Sequence, residues 1–512
     1  MNLIDYLDRG AVLNPDRDCL MTHDGSARLS YAEVADLTHR VAAGLARLGI
    51  GQGSRVGVYS PNDPMAFVCM LGLLRAGATW VAMNSRSTPR DLGELLQLFD
   101  CRSVIRHPSL LAETDELLKG VPDVQHVLAM EDIEDWMAPV GTRADRAPVD
   151  PEGVAMLAGT GGTTGAPKGV PLNNRQVQLM SLAFNAHMPE SRPPVYILAA
   201  PMTHAAGLAA FPVLASGGTV IVHQGVVAEE IFTSIERHRA TQLFLPPTAV
   251  YTLLAHPDVR ERDFSSLRYF LIAAAPIAAD RLAEAVEVFG PVMTQVYGQA
   301  ESPFICTFFG PEQIAAAASR PELRTRLQSC GRRSLVADVQ IMGEDGRLLP
   351  VDERGEIVIR SDLVMRGYDG NEAATAETRR PDGWHGTGDI GYRDADGFVY
   401  IVDRKKDMII SGGFNVFPRE VEQVIHTIPG VNDCAVIGLP DDKWGESVTA
   451  VVEAKSGYEI DPALVIATCR EALGPVKTPK SVIIRELPRS PVGKVLKRVL
   501  RDEFWEGRTR MV

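Results

Sequence analysis

The chain has 512 residues, of which 45% are hydrophobic and 23% are charged, and its 52 Lys and Arg against 65 Asp and Glu give a formal net charge of −13. This composition excludes a disordered chain and a collagen-like repeat, and the acidic balance argues against a general binder of nucleic acid or anionic membranes. The length predicts two to four domains. Seven scattered cysteines without a C-x-x-C pair favour a reduced compartment and no structural zinc.

The termini and one long apolar stretch bear on location. The first ten residues show no secretory signal, and the last three form no targeting or lipidation signal. Residues 193–228 contain no Asp, Glu, Lys or Arg, and an uncharged stretch of this length could span a bilayer. Prolines, a histidine and a Gly-Gly pair interrupt the stretch, so we expect short buried strands and turns there. We therefore expect a cytoplasmic protein without a transmembrane span.

The first three hundred residues alternate helical and strand patterns. Ser30 and Glu33 form a capping box, and the helix that follows ends at Gly49. Helices are predicted over 65–76 and 89–99. Strands are predicted over 55–59, 79–82, 103–105, 195–198, 220–222, 242–245, 270–273 and 293–297. This alternation is typical of layered α/β sheets.

The last third of the chain has a different pattern. Short strands and Gly/Asp turns between Arg332 and Val402 indicate a small β-rich lobe. Two helices (419–428, 461–473) and three strands (433–438, 447–454, 481–486) are predicted beyond the charged run 403–407. The sequence thus predicts an α/β fold. Its parts are a large N-terminal domain of layered α/β sheets with the β-rich lobe (1–402), a hinge (403–407) and a small mobile α+β C-terminal domain (408–512).

Residues 160–169 carry the strongest chemical signal. They read Thr-Gly-Gly-Thr-Thr-Gly-Ala-Pro-Lys-Gly between two apolar strands, 153–157 and 170–172. Glycines let backbone N–H groups turn inward, threonines add donors and Lys168 adds a positive charge, so the loop can wrap phosphate oxygens. Pro167 replaces the second glycine of a Walker loop, so this is a different phosphate motif. A glycine-rich hairpin turn without a ligand is the alternative.

Six further segments follow in order along the chain. They are Pro201-Met202-Thr203-His204, Tyr297-Gly298-Gln299-Ala300-Glu301, Trp384-His385-Gly386-Thr387-Gly388-Asp389, Asp403-Arg404-Lys405-Lys406-Asp407, Ser411-Gly412-Gly413-Phe414 and Pro491-Val492-Gly493-Lys494. With the glycine loop, these segments resemble the motifs of the adenylate-forming (AMP-binding) enzyme superfamily. The resemblance covers essentially the whole chain and is to the acyl-CoA synthetase branch, the fatty- or aryl-acid–CoA ligases.

The resemblance implies an acid–thiol ligase that uses ATP, Mg²⁺ and coenzyme A. A carboxylate would attack the α-phosphorus of ATP and release pyrophosphate, and the CoA thiol would then displace AMP. The catalytic residues it implies are Lys494, Glu301 and His204, with Glu301 also as the magnesium ligand and Lys406 as the hinge. The implied nucleotide- and CoA-binding residues are Thr160, Gly161, Gly162, Thr163, Thr164, Gly165, Lys168, Ala275, Tyr297, Gly298, Gln299, Ala300, Asp389, Arg404, Gly412 and Gly413.

Elementary chemistry supports several of these assignments. Tyr297 can present an aromatic face to a purine, and the Glu301 carboxylate is a hard oxygen ligand suited to magnesium. Asp389 has acceptor capacity for two ribose hydroxyls. A turn is the structural alternative at Tyr297 and at Asp389, and a solvated run is the alternative for the charges around Arg404. For Lys405 we favour the solvated interpretation.

The sequence departs from the family pattern at three places. Ala300 replaces the usual threonine, Gly161 replaces a common serine, and Ala273-Ala274-Ala275-Pro276 replaces a glycine-rich turn. Each of the first two changes removes one hydroxyl donor near the nucleotide phosphates. A tuned enzyme and a sluggish one are both compatible with these changes.

The substrate and the acceptor are predicted only by class. The segments expected to line the acyl pocket, 204–207, 273–275 and 298–304, contain no basic residue, which favours a monocarboxylic acid of medium size, aliphatic or aromatic. Two alternatives to CoA ligation are loading of a carrier-protein pantetheine and a non-catalytic nucleotide-binding protein. A luciferase-like oxygenation is a third alternative. We expect no nucleic-acid partner. The sequence contains no coiled-coil heptads and leaves open whether the protein is a homodimer.

Overall fold

The structure of this protein is a computed structural model that describes residues 1–160, 167–441, 444–490 and 495–505. The chain folds into two compact units, one formed by Met1–Val339 and Ile359–Arg379 and the other by Gln340–Val358 and Arg380–Val512. The mixed α/β class, with a larger N-terminal and a smaller C-terminal part, is confirmed. The domain limits at residues 402 and 408 stay predictions.

The first unit alternates strands and helices. Its first half contains α1 Ile4–Leu13, β1 Asp18–Thr22, β2 Arg28–Ser30, α2 Tyr31–Arg47, β3 Arg55–Ser60, α3 Pro64–Arg75, β4 Thr79–Asn84, α4 Pro89–Leu98, β5 Ser103–Arg106, α5 Leu111–Lys119, β6 His126–Ala129, α6 Ile133–Trp136, β7 Val154–Thr160 and β8 Lys168–Asn173. Its second half contains α7 Asn174–His187, β9 Val195–Leu198, α8 Ala205–Ala215, β10 Thr219–Val222, α9 Ala228–His238, β11 Gln242–Leu245, α10 Pro247–Leu254, β12 Tyr269–Ile272, α11 Ala279–Phe289, β13 Met293–Tyr297, β14 Thr307–Phe309, α12 Pro311–Ser319 and β15 Arg332–Arg333.

These strands form two sheets. A six-stranded sheet has the order β6-β5-β3-β4-β7-β8, and a nine-stranded sheet has the order β15-β14-β13-β12-β11-β9-β10-β1-β2. The six central strands of the larger sheet, from β13 to β1, are parallel to one another. In the smaller sheet the last pair, β7 and β8, is antiparallel. The carboxyl ends of these parallel strands therefore lie along the same edge of the larger sheet.

Local sequence explains where these elements begin and end. The predicted capping box is confirmed, because the Ser30 hydroxyl accepts from the Glu33 N–H while the Glu33 carboxylate accepts from the Ser30 N–H. Gly49 follows the helix with φ +72°, the left-handed value that a C-terminal glycine favours. Three predicted strands, 195–198, 242–245 and 293–297, match the observed bounds.

The apolar stretch 193–228 differs from our expectation. It contains β9 and β10, as predicted, but between them runs the buried eleven-residue helix α8, where we expected only strands and turns. The prediction was wrong because Ala and Leu favour a helix, and the burial of residues 206–215 offsets the one hydrogen bond that Pro212 removes inside it. Within the described residues, no helix is long and apolar enough to cross a membrane.

The second unit combines two smaller sheets with helices. Around it the chain forms β16 Asp338–Met342, β17 Gly355–Arg360, α13 Glu372–Thr378, β18 His385–Arg393, β19 Val399–Arg404, β20 Ile409–Ser411, β21 Phe414–Val416, α14 Pro418–Ile425, β22 Val431–Asp441, β23 Gly445–Ala454, α15 Pro462–Lys477, β24 Ser481–Ile484 and α16 Lys497–Asp502. One sheet has the order β16-β17-β18-β19, and the other has the order β21-β20-β23-β22 with β24 beside β23. The predicted β-rich lobe and α+β tail are both present.

Candidate active site

Three of the predicted segments lie at one edge of the nine-stranded sheet. Segment 201–204 follows β9, segment 273–276 follows β12 and segment 298–301 follows β13. These strands are parallel, so their carboxyl ends meet at the same edge. Such edges are the usual place for ligand sites in open α/β sheets.

His204 is held at this edge by its neighbours. It is an exposed residue that immediately precedes α8, and its Nδ1 lies 2.9 Å from the Thr203 hydroxyl. The buried Asn62 side chain donates to the Ala200 carbonyl at 2.9 Å and accepts from the Met202 N–H at 2.8 Å. Asn62, which lies outside β9, therefore fixes the backbone that leads from this strand to His204.

The segment after β13 forms a tight turn. Tyr297 is buried at the end of the strand, and a Cβ added to Gly298 would lie 2.5 Å from the Phe304 nitrogen, so only glycine fits there. The Gln299 N–H donates to the Ser302 carbonyl at 3.0 Å. The turn leaves Ala300 and Glu301 partly exposed.

The predicted phosphate loop joins β7 to β8, as its sequence indicated. Thr160 and Lys168 are opposite each other at the ends of the two antiparallel strands, and the Thr160 hydroxyl donates to the Lys168 carbonyl at 3.3 Å. Gly161, Gly162, Thr163, Thr164 and Gly165 lie outside the described residues. The structure thus gives the base of the loop, including its lysine.

Lys168 and Glu301 come together on either side of a residue that the sequence analysis missed, Tyr368. The Tyr368 hydroxyl donates to Glu301 Oε1 at 2.8 Å, and Lys168 Nζ lies 4.9 Å from the centroid of the Tyr368 ring. Burial, together with the Glu301 charge, raises the pKa of Tyr368, so its phenol remains a donor. Lys168 Nζ is also 3.8 Å from Glu377 Oε2.

The backbone around Tyr368 fixes this arrangement. The Met365 N–H donates to the Glu301 carbonyl at 2.7 Å, and the Asp369 N–H donates to the Gly169 carbonyl at 2.8 Å. Segment 365–369 thereby links the turn of the larger sheet to the loop base of the smaller one. A Gly-Tyr-Asp-Gly sequence is typical of an ordinary turn, so no pattern in the sequence indicated that Tyr368 belongs to the site.

The chemistry of these side chains suits a nucleotide with its metal. Glu301 supplies a hard oxygen ligand, and a carboxylate can accept the phenol hydrogen bond and still coordinate Mg²⁺ through its remaining lone pairs. Lys168 supplies the positive charge that phosphate oxygens favour. Ala275 lies exposed beyond β12, and the residue before it, Ala274, has φ +74°.

In the second unit, Asp389 and Arg404 are paired across β18 and β19. Arg404 Nε lies 3.6 Å from Asp389 Oδ1, and Asp389 is only 6% exposed. The Asp389 N–H donates to the Thr387 hydroxyl at 3.1 Å, and the Gly388 carbonyl accepts from the Lys405 N–H at 2.8 Å. A buried carboxylate in the middle of a paired strand, beside a guanidinium, can accept hydrogen bonds from a diol.

Residues 405–407 of the neighbouring charged run form a turn between β19 and β20. Lys406 lies exposed in this turn. Lys405 is also exposed, as we expected, although its Nζ lies 3.9 Å from the buried Glu356 carboxylate. The hinge function of Lys406 stays a prediction.

The two glycines predicted to face CoA form the turn between β20 and β21. Gly412 and Gly413 have φ of +59° and +81°, which glycine adopts without strain. A Cβ on Gly412 would lie 2.7 Å from the Trp444 ring, and the Gly412 N–H donates to the Trp444 carbonyl at 2.8 Å. Lys494 lies outside the described residues, and its catalytic role stays a prediction.

Comparison with known proteins identifies the family of this chain. The AMP-binding enzyme family model matches residues 7–369, and the model of the AMP-binding enzyme C-terminal domain matches residues 420–494. The medium/long-chain-fatty-acid–CoA ligase of Mycobacterium tuberculosis is 35% identical over 95% of this chain and 88% of its own length. Feruloyl-CoA synthase of an Amycolatopsis species is 36% identical over 94% of this chain and 95% of its own length.

A solved structure extends the likeness to three dimensions. The amide bond synthetase of Marinactinospora thermotolerans superposes with a TM-score of 0.86 at 30% identity, over 98% of this chain and all of that one. Both family models match in the expected order, and together they span most of the chain. This chain therefore belongs to the AMP-binding enzyme family, whose members form adenylates.

Proposed function

We propose that this protein is an AMP-forming acid–thiol ligase that activates a monocarboxylic acid with Mg-ATP and transfers the acyl group to coenzyme A. In the first half-reaction a carboxylate oxygen attacks the α-phosphorus, an acyl-adenylate forms and pyrophosphate leaves. In the second, a thiol attacks the acyl carbon and AMP leaves with the carboxylate oxygen. The protein contributes positioning and neutralisation of charge.

The observation that carries the proposal is the convergence of Lys168 and Glu301 on Tyr368. The Lys168 ammonium, at the base of the glycine loop, lies over the Tyr368 ring, and the Glu301 carboxylate accepts a hydrogen bond from the Tyr368 hydroxyl. Bound Mg²⁺ would neutralise phosphate charge and orient the pyrophosphate leaving group. Lys168 would bind phosphate oxygens, and Tyr368 would keep the Glu301 carboxylate oriented toward the metal.

The acid is proposed by class from the residues at the edge of the larger sheet. Segments 204–207 and 273–275 present mainly small residues, and neither contains Lys or Arg. The buried Phe304 lies in the turn after β13, and its ring is 5.2 Å from Phe244 and 5.1 Å from Phe184. An apolar, uncharged surrounding favours a substrate with a single carboxylate and an aliphatic or aromatic body.

The test is acid-dependent exchange of labelled pyrophosphate into ATP, with magnesium present. The acids are short, medium and long fatty acids, ferulate and other aryl acids, and a dicarboxylate. We expect exchange with one class of monocarboxylic acid and none with the dicarboxylate. Glu301→Gln should abolish most of the exchange while leaving the protein folded by circular dichroism. Exchange that is equally fast without acid, or that survives Glu301→Gln unchanged, would contradict the proposal.

The acceptor is tested separately. With the acid identified, CoA, a carrier protein with its pantetheine arm and simple amines are compared as acceptors by mass spectrometry of the product. We expect a CoA thioester. The amine is included because the amide bond synthetase is similar over nearly the whole chain. ATP binding without exchange for any acid would favour the non-catalytic alternative.

A further inference from the structure

Two histidines lie side by side at the end of neighbouring strands in the first unit. β1 and β10 are parallel, with Thr22 opposite Val222, so the next residues, His23 and His223, emerge next to each other. Their rings stack with centroids 5.0 Å apart and an interplanar angle of 27°. The pairing is thus a product of strand register.

A carboxylate completes the cluster. Glu230 lies in the first turn of α9, and its Oε2 is 3.7 Å from His23 Nε2 and 3.9 Å from His223 Nδ1. The ligand atoms of the three side chains all lie within 4.8 Å of one another. Both imidazoles therefore direct a nitrogen at the same carboxylate oxygen.

One of these nitrogens is buried without a hydrogen-bond partner. The His223 side chain is 0% exposed, and its Nδ1 has no partner among the described residues. Its Nε2 lies 3.0 Å from the Ser234 hydroxyl, which orients the ring. Buried polar atoms in folded proteins nearly always have a partner, so an unpaired imidazole nitrogen that faces a carboxylate indicates a missing ligand.

The distances suit a small divalent ion. Zinc bound by imidazole nitrogens and a carboxylate oxygen has bonds of about 2.0–2.2 Å, so its tetrahedral ligands lie about 3.3–3.5 Å apart. Two of the three separations are 3.7 and 3.9 Å, and all three ligand atoms lie within 4.8 Å of one another, so a contraction of the cluster around an ion would reach this geometry. Two imidazoles select zinc over magnesium, which prefers oxygen ligands.

We propose that His23, His223 and Glu230 bind one Zn²⁺ ion, with water as the fourth ligand. The expectation of no structural zinc relied on cysteine spacing, and all seven cysteines are indeed free and buried. This site uses histidine from two strands and a glutamate from a helix. It uses none of the residues proposed to bind ATP and does not depend on that function.

The surroundings indicate what the ion does. It would join β1, near the edge of the sheet, to β10 and α9. The His223 carbonyl accepts from Asn62 Nδ2 at 2.9 Å, and the same Asn62 holds Ala200 and Met202 in the segment before His204. The ion therefore stabilises the sheet edge and anchors a backbone that leads to the acyl site.

The test is calorimetric titration of the EDTA-treated full-length protein with Zn²⁺ in the presence of excess Mg²⁺. We expect one equivalent bound with a micromolar or lower Kd, and a rise in Tm on binding. His23→Gln and Glu230→Gln should each weaken binding at least about tenfold, because zinc sites rarely tolerate loss of one of three protein ligands. The matched control is His126→Gln, which changes a partly buried histidine in β6 and should bind zinc like the wild type.

A second readout keeps the test independent of folding effects. Cobalt substituted for zinc should give the visible absorption of a tetrahedral nitrogen–oxygen site, and Glu230→Gln should change that spectrum. Circular dichroism checks that both variants are folded. No stoichiometric binding by the wild type, or equal binding by the wild type, His23→Gln and Glu230→Gln, would overturn the proposal. Neither result would bear on ATP–pyrophosphate exchange, which is measured with the zinc-free protein in the presence of Mg²⁺.

Discussion

Tyr368 connects two residues of the candidate active site that are far apart in sequence. Its hydroxyl donates to Glu301, and its ring lies beneath the ammonium of Lys168. A hydrogen bond to a charged group contributes about 1.5–3 kcal/mol, and an oriented carboxylate binds a cation without further ordering. We therefore expect Tyr368 to be a positioning residue, whose loss should weaken metal binding more than nucleotide binding.

Tyr368→Phe isolates this hydrogen bond because the ring beneath Lys168 remains. We expect the acid-dependent exchange rate to fall about ten- to a hundredfold at limiting Mg²⁺, in line with a hydrogen bond to a carboxylate. Raising the Mg²⁺ concentration should restore part of the exchange rate of Tyr368→Phe, whereas it should not restore the exchange rate of Glu301→Gln. Tyr392→Phe, which alters a tyrosine stacked on Tyr400 in the second unit, is the control. Equal loss at all magnesium concentrations would contradict a positioning role.

Ala274 occupies a backbone conformation that suits glycine. It has φ +74° in the turn where the family usually has glycines, and the left-handed region costs a residue with a Cβ about 1–2 kcal/mol. The alanine thus carries local strain beside the proposed acyl site.

We expect Ala274→Gly to raise the free energy of unfolding by about 0.5–1 kcal/mol, because relief of strain exceeds the entropy that glycine adds to the unfolded chain. Ala273→Gly is the matched control. Ala273 is buried and lacks a positive φ, so that change should lower stability by a similar amount. Urea unfolding followed by circular dichroism measures both. Destabilisation of equal size in both variants would show that Ala274 is not strained.

At the scale of elements, alternation and caps predicted most of the first unit. The central strands are continuous apolar runs, as expected for parallel strands buried on both faces, and their ends are marked by turn residues. Helix α8 was missed because Pro212 and the flanking glycines are residues that usually interrupt a helix. Here the helix is buried, and it forms although Pro212 removes one of its hydrogen bonds. Pairing partners could not be predicted, since strand order depends on contacts distant in sequence.

Helix α2 carries a histidine that is held neutral by its surroundings. His39 Nδ1 accepts a hydrogen bond from the Ala144 N–H at 3.2 Å, which requires an unprotonated nitrogen. Burial, and then the charges of Arg75 and Arg143, lower the pKa of His39 to about 4 from its ordinary 6.5. The unfolded chain therefore binds one more proton than the folded chain between these two values.

Stability should accordingly fall as the pH decreases through this window. The contribution of His39 is complete above pH 6.5 and is lost progressively down to about pH 4, because protonation favours the unfolded chain. His39→Gln keeps an acceptor without a titrating group, so its urea midpoint should fall less between pH 7 and pH 5 than that of the wild type. Identical pH dependence in both proteins would contradict this assignment.

At the scale of the whole molecule, the order of motifs predicted the family, and the family models match in that order. The candidate site residues could be named because their segments resemble the motifs of this family. The mutual geometry of these residues could not be predicted, since Lys168 and Glu301 both contact Tyr368, which comes from elsewhere in the chain. The zinc site was missed for the same reason, because strand register brings His23 to His223.

The most direct test of the central claim follows the carboxylate oxygen. The acid identified by exchange is labelled with ¹⁸O in both carboxyl oxygens and incubated with the enzyme, Mg-ATP and CoA. Attack on the α-phosphorus followed by thiol displacement leaves one labelled oxygen on AMP and one in the thioester, as mass spectrometry would show. Label in inorganic phosphate together with ADP, or unlabelled AMP beside a formed thioester, would contradict adenylate formation.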